Sequence, residues 1–142
     1  MNTRLRLFLA VAAIGLLSTL AGCTRASTSS DLKELESHRS NDTVVTLLSA
    51  KGDLTQGQNR FVLLFRSASS GKPIDVGRVD VASTMSMPGM SPMSGGIELE
   101  PSGETGQYLA KGDFGMSGAW HFEIRWEGPA GRGNLAFIRD VR

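Results

Sequence analysis

The residues of this chain that are best suited to chemistry are its methionines. Four of the six fall within residues 85–93, and a fifth, Met116, stands just before a tryptophan-containing strand pattern. Methionine is normally scattered through a core as an adaptable filler. Here two prolines and a glycine interrupt the cluster, which indicates a surface loop, where an apolar side chain gains little from burial. The clustering therefore suggests a use for the sulfur atoms themselves.

Several thioethers on one loop are suited to a soft monovalent metal ion. Thioether sulfur is a neutral ligand that selects Cu(I) over hard cations. It has no proton to lose, so its affinity depends little on pH, unlike that of thiolate or imidazole. We therefore expect Cu(I) as the bound ion, held by Met85, Met87, Met90 and Met93, with Met116 as a further ligand. Met85 and Met87 would share one face if a strand extended that far.

Two other interpretations of the cluster remain open from the sequence. Met85 and Met87 continue the apolar stripe begun by Val79 and Val81, so they could simply be core residues at the end of a strand. A methionine-rich loop is also an adaptable surface for contacts with another protein. His121 is close in sequence to Met116 and joins the candidate metal site, although its position in the pattern predicts a solvent-facing side chain.

The elements that must position these residues are predicted to be strands. From Thr43 onward, short segments of alternating or continuous apolar residues are separated by turn residues. Their spacing of about ten residues, without helical periodicity, predicts an all-β, immunoglobulin-like antiparallel β-sandwich. The seven predicted strands cover residues 43–49, 58–67, 77–87, 95–100, 106–113, 118–127 and 134–141.

Large aromatic residues on two of these segments are expected to supply most of the core. Phe61 and Phe65 lie on the second predicted strand, and Trp120, Phe122 and Trp126 alternate with polar residues on the sixth. We expect these two strands to be central neighbours.

The N-terminus carries the pattern of an export signal. Arg4 and Arg6 precede an apolar stretch over residues 8–20, which is too short for a stable membrane span of about 20 apolar residues. Ala21-Gly22-Cys23 follows this stretch, and the whole segment resembles the signal of a bacterial lipoprotein. That resemblance implies a Cys23 that is acylated and anchors the protein in the membrane. Thr24 then favours the outer membrane, with the protein on the periplasmic side of the envelope.

Length and composition limit the domain organisation and the possible functions of the chain. We predict a signal peptide over residues 1–22, a lipidated cysteine and flexible tether over 23–42, and a single domain over 43–142. Residues 23–142 carry thirteen basic and fourteen acidic side chains and no basic cluster, so nucleic acid is not an expected partner. The one cysteine is assigned to lipid, and neither histidine has a catalytic partner in the pattern. We therefore do not expect an enzyme.

Three motifs together resemble a known family. They are the methionine segment at residues 85–93, Gly106-Gln107-Tyr108 at a strand start, and Gly118-Ala119-Trp120 before an alternating strand. The chain thus looks like a member of the YtkA-like domain family, which is related to the FixH accessory proteins, over about residues 43–141. The resemblance implies an exported immunoglobulin-like sandwich, with copper efflux or oxidase-assembly proteins as partners. This chain departs from many methionine-rich copper loops in having no histidine within or beside the loop.

Overall fold

A computed structural model describes residues 31–142, which form two antiparallel β-sheets packed face to face. The predicted signal peptide and Cys23 lie outside these residues. One sheet has the strand order β1-β2-β3-β7-β6, and the other has the order β5-β4-β8-β9. The strands are β1 Lys33–Ser40, β2 Thr43–Ser49, β3 Gly57–Ser67, β4 Arg78–Met85, β5 Met93–Ser94, β6 Glu98–Pro101, β7 Gln107–Phe114, β8 Gly118–Gly128 and β9 Gly131–Val141.

The predicted β-sandwich is confirmed, and all seven predicted strands are present: β2 has the predicted ends, and the other six have shifted ends. Two further strands, β1 and the two-residue β5, were not predicted. In β8 the alternation places Trp120, Phe122, Ile124 and Trp126 in the core, as expected. The described part of the chain contains no helix long and apolar enough to cross a membrane.

The core lies between the two sheets and is largely aromatic. The sequence suggested that β3 and β8 are neighbours. They are instead central strands of opposite sheets. Their aromatic faces therefore meet across the core: the rings of Phe65 and Trp126 are 5.6 Å apart in an edge-to-face arrangement. Phe114 links the same two layers, because its ring lies 5.1 Å from that of Trp120. Such pairs add stability beyond the area that they bury.

The prediction of a flexible tether over residues 23–42 is wrong for its last part, because Lys33–Ser40 forms strand β1. Strand β1 pairs along its length with β2, and its inner face carries polar side chains. The His38 ring stacks on Phe137 of β9 at 4.6 Å. A polar segment without an apolar run gives no strand pattern, and β1 forms because β2 offers it a hydrogen-bonding edge.

A cluster of ionic side chains closes the side of the sandwich where β1 meets β9. Arg139 approaches Asp53 with Nη2 at 3.3 Å and Glu36 with Nη1 at 3.7 Å, and it also donates to the backbone oxygen of Leu35 at 3.1 Å. All three charged side chains are mostly buried. Inward-pointing charges on edge strands of this kind protect sheet edges from pairing with other chains.

Candidate metal site

Two of the predicted ligands face each other across the β4–β5 pair. Met85, the last residue of β4, lies directly opposite Met93, the first residue of β5. Opposed residues of an antiparallel pair place their side chains on the same face, with Cβ atoms about 5 Å apart. Here that face is the inner one, because Met85 is only 8% exposed and Met93 packs partly buried against the core.

The loop between these two residues turns back at Met87. The amide of Met90 donates to the carbonyl oxygen of Met87 at 3.2 Å. Pro88 and Gly89 occupy the two central positions, and Gly89 has a φ of 78°. Proline followed by a residue with positive φ is typical of a type II turn, which brings its first and last Cα atoms within about 7 Å. Met87 and Met90 therefore lie close together at the tip of the hairpin.

Met85 and Met87 could share a strand face only if the strand extended to Met87, and β4 ends at Met85. Met87 begins the turn and is half-buried, whereas Met90 is 59% exposed. The core interpretation of the first methionine is confirmed in part, because Met85 belongs to the core cluster.

The third element of the site is the loop at residues 115–117, which carries the chain from β7 in one sheet to β8 in the other. A Cβ atom at Gly115 would lie 3.1 Å from the Met93 Cε atom. At Gly118 a Cβ would overlap the Met85 methyl group and lie 3.9 Å from its sulfur. Both thioether ends therefore rest against the loop that carries Met116. The fold thus places Met85 and Met93 against the two glycines that flank Met116 and Ser117.

His121 is not brought to this group. It pairs with Thr84 on β4 and with Ile138 on β9, and its side chain is exposed on the outer face of the four-stranded sheet. Neighbouring residues of a strand point to opposite faces, so His121 lies on the face opposite to that of Met85. One ion could not be bound by both side chains.

The donor atoms of the site are soft. Among residues 31–142 there is no group of three or more histidine, cysteine, aspartate or glutamate side chains placed to hold a metal ion. The methionines also differ in exposure: Met90 is 59% exposed, Met116 is 38% exposed, and Met85 is nearly buried. The thioethers thus extend from the solvent-exposed tip of the hairpin to the edge of the core.

Sequence reasoning missed the contacts that hold the Met116 loop in place. The indole Nε1 of Trp120 donates to the Met116 carbonyl oxygen at 3.0 Å, and Gln56 Nε2 donates to the Gly115 oxygen at 3.0 Å. The glycines on either side of Met116-Ser117 were the one available signal. They mark a place where other groups approach the backbone closely.

Comparison with known proteins gives a family and two similar folds. The model of the YtkA-like family matches residues 37–125 of the chain. No curated protein matches it by sequence. PcoC, a methionine-rich copper resistance protein from Escherichia coli, aligns with a TM-score of 0.45 and 15% identity, over 63% of this chain and 88% of PcoC. A copper-bound variant of FetP from uropathogenic Escherichia coli aligns with a TM-score of 0.45 and 9% identity, over 78% of this chain and 97% of FetP.

Proposed function

This chain belongs to the YtkA-like family, and we propose that it binds Cu(I) through Met85, Met93 and Met116, in copper handling, resistance or delivery. One observation carries the proposal: the thioether ends of Met85 and Met93 both rest against the loop that bears Met116. A soft, neutral donor set of this kind suits Cu(I) and disfavours hard divalent cations.

Met87 and Met90 take the role of entry ligands in this proposal. The turn between them holds the two residues close together at the hairpin tip, and Met90 is the most exposed methionine of the site. An ion captured there could exchange one thioether at a time for the deeper sulfur atoms. The same exchange in reverse would release the ion to another protein, so the function is one of binding and transfer without a catalytic step.

Titration of the purified full chain with Cu(I) under anaerobic conditions, against a competing chelator, tests the proposal. Replacing all five methionines of residues 85–116 with leucine removes the sulfur atoms at nearly constant volume. We expect the β-sheet circular dichroism to survive and Cu(I) binding to be lost. His121→Ala is the matched control and should bind as the parent does, because its side chain lies on the other face. Undiminished Cu(I) binding by the five-leucine variant would contradict the proposed site.

We place the protein on the periplasmic side of the cell envelope, anchored by lipid on Cys23, with the outer membrane favoured. The support is the sequence pattern before Cys23, which lies outside the described residues. Labelling cells with a fatty-acid probe should mark the parent chain and leave the Cys23→Ser variant unmarked. Fractionation of inner and outer membranes would then locate the anchor, and a labelled Cys23→Ser variant would refute it.

An interaction module without metal is the second candidate, in which the methionine surface docks on an efflux or oxidase-assembly complex. The observation in its favour is the exposure of Met90 and Met116 at one end of the domain. Leucine offers a similar apolar surface without sulfur, so this function would survive in the five-leucine variant. Recovery of the same membrane complex by parent and variant, together with no Cu(I) binding by either, would favour this candidate.

A further inference from the structure

We infer that Trp120 is a positioning residue for the metal site, because it fixes the distance between the Met116 loop and the segment that carries Met93. This inference rests on the proposed function, since it assigns to Trp120 the task of keeping the third thioether in place before the ion arrives. It concerns a core residue whose aromatic packing alone would not suggest any part in metal binding.

The first observation is the fixed position of the indole ring. Trp120 is fully buried, and its ring packs edge to face against Phe114 at 5.1 Å. A ring held in this way also holds its N–H, which donates to the Met116 carbonyl oxygen at 3.0 Å. The backbone of Met116 is therefore tied to the core, although its side chain remains partly exposed.

The second observation is that the same ring contacts the chain segment that follows Met93. A Cβ atom at Gly95 would lie 2.9 Å from Trp120 Cζ3, so only glycine allows the indole this close to the backbone. Gly95 follows Met93 by two residues, and it is bound to Ser83 of β4 by two hydrogen bonds of 3.0 Å each. One side chain thus contacts both the Met116 loop and the backbone that continues from Met93.

The physical consequence concerns the entropy of binding. Met116 and Ser117 stand between two glycines, and glycine has more backbone freedom to lose than any other residue. A loop of this composition that was not held would have to be ordered when the ion binds, which would weaken the affinity. The hydrogen bond from Trp120 orders the loop in advance, so Met116 is presented to the ion at lower entropic cost.

Trp120→Phe tests the inference, because it removes the N–H and keeps an aromatic ring. We expect Cu(I) affinity to fall about five- to tenfold, which corresponds to one net hydrogen bond. The decrease should disappear when Met116→Leu is already present, because the hydrogen bond then positions no ligand. A decrease of the same size in the Met116→Leu background would overturn the inference and leave the proposed function intact.

A measurement on the metal-free protein tests the positioning role of Trp120 separately from the binding of Cu(I). With ¹³C-labelled methionine methyl groups, Trp120→Phe should move the Met116 methyl resonance to the shift and narrow line of a mobile side chain. The Met90 resonance, at the exposed hairpin tip, should keep its shift. An unchanged Met116 resonance would overturn the positioning role, whatever the copper titration shows. A parent chain that fails to bind Cu(I) would instead refute the proposed function.

The parent chain provides a further test if Trp120→Phe does not fold. Ag(I) has the ligand preference of Cu(I) and no redox chemistry, so it is a suitable probe for nuclear magnetic resonance. Its binding should shift the indole ¹H–¹⁵N resonance of Trp120. Trp126 is the internal control, because it pairs with Val79 and Gly133 at the other end of β8. Equal shifts of the two indoles, or no shift of either at Ag(I) saturation, would refute the coupling between Trp120 and the site.

Discussion

Met85 and Met93 lie directly opposite each other at the point where β4 pairs with β5. This pairing makes two residues that are eight positions apart in sequence neighbours on one face of the sheet. Because β5 is only two residues long, the position of Met93 depends on this one register, and a shift by one residue would turn its thioether to the outer face.

The first prediction concerns these two residues. Met85→Leu and Met93→Leu should each lower Cu(I) affinity by about tenfold or more, a loss typical of disturbed metal sites. Each should change the free energy of unfolding by less than about 1.5 kcal/mol, because leucine and methionine have similar volumes. Chelator competition and urea unfolding measure the two effects. Met90→Leu, at the exposed tip, should lower the affinity less, and an equal loss would argue for a site at the hairpin tip.

The second prediction uses the glycine that faces Met85. In Gly118→Ala the added methyl group would displace the Met85 thioether, and the φ of 131° is unfavourable for alanine. We expect a stability loss of about 1–3 kcal/mol from the backbone and a marked drop in Cu(I) affinity. Gly89→Ala is the control, since its φ is also positive and nothing lies near its Cβ position. It should lose stability and keep Met85 in place. Equal Cu(I) affinities in the two variants would refute the contact.

The third prediction concerns pH. Burial raises the pKa of the Tyr108 hydroxyl above its usual value, and the nearby charge of Asp75 adds to this shift. The hydroxyl also donates to the Gly77 carbonyl oxygen at 2.5 Å. A raised pKa means that the folded state favours the neutral form. This contribution to stability is complete below the unfolded pKa of about 10 and is lost as the pH rises through the folded pKa.

Two measurements check the raised pKa of Tyr108 and its effect on stability. Tyr108 is the only tyrosine of the chain, so tyrosinate absorbance reports its ionisation alone. It should titrate at a higher pH in the folded than in the urea-unfolded protein. As the pH rises above about 10, the free energy of unfolding should fall more steeply for the parent than for Tyr108→Phe. Titration of the folded protein at or below the ordinary pH would contradict the shift.

The fourth prediction compares two ion pairs. Arg139→Met removes the cation that Asp53 and Glu36 share in a mostly buried cluster and leaves Asp53 with only the exposed Arg142, so it should cost about 2–3 kcal/mol of stability. Arg78→Met removes the partner of Asp80 where both side chains are largely exposed, and should change stability by about 0.5 kcal/mol or less. Urea unfolding at neutral pH gives both values. Similar losses in the two variants would mean that the cluster between β1 and β9 contributes little.

The strands that could be predicted are those with an apolar period of two or with a continuous apolar run. Trp120, Phe122, Ile124 and Trp126 identify both a strand and its buried face, because alternate side chains point to opposite sides of a sheet. Strand β1 has no such signal: Glu36 and His38 lie on its inner face. It is stabilised by pairing with β2 and by Arg139 from β9, and such long-range partners leave no local pattern.

The candidate site could also be predicted from the sequence only in part. The soft donor type and the turn at Pro88-Gly89 follow from residue chemistry, which the sequence contains in full. That the thioether ends of Met85 and Met93 rest against the Met116 loop, while His121 lies on the opposite face, depends on strand register and on which sheet each strand enters. Those are long-range relationships, set by how the aromatic faces of the two sheets pack. The sequence by itself therefore determined the soft donor type of the candidate ligands, and only the tertiary structure decided which of these residues lie on the same face and against the same loop.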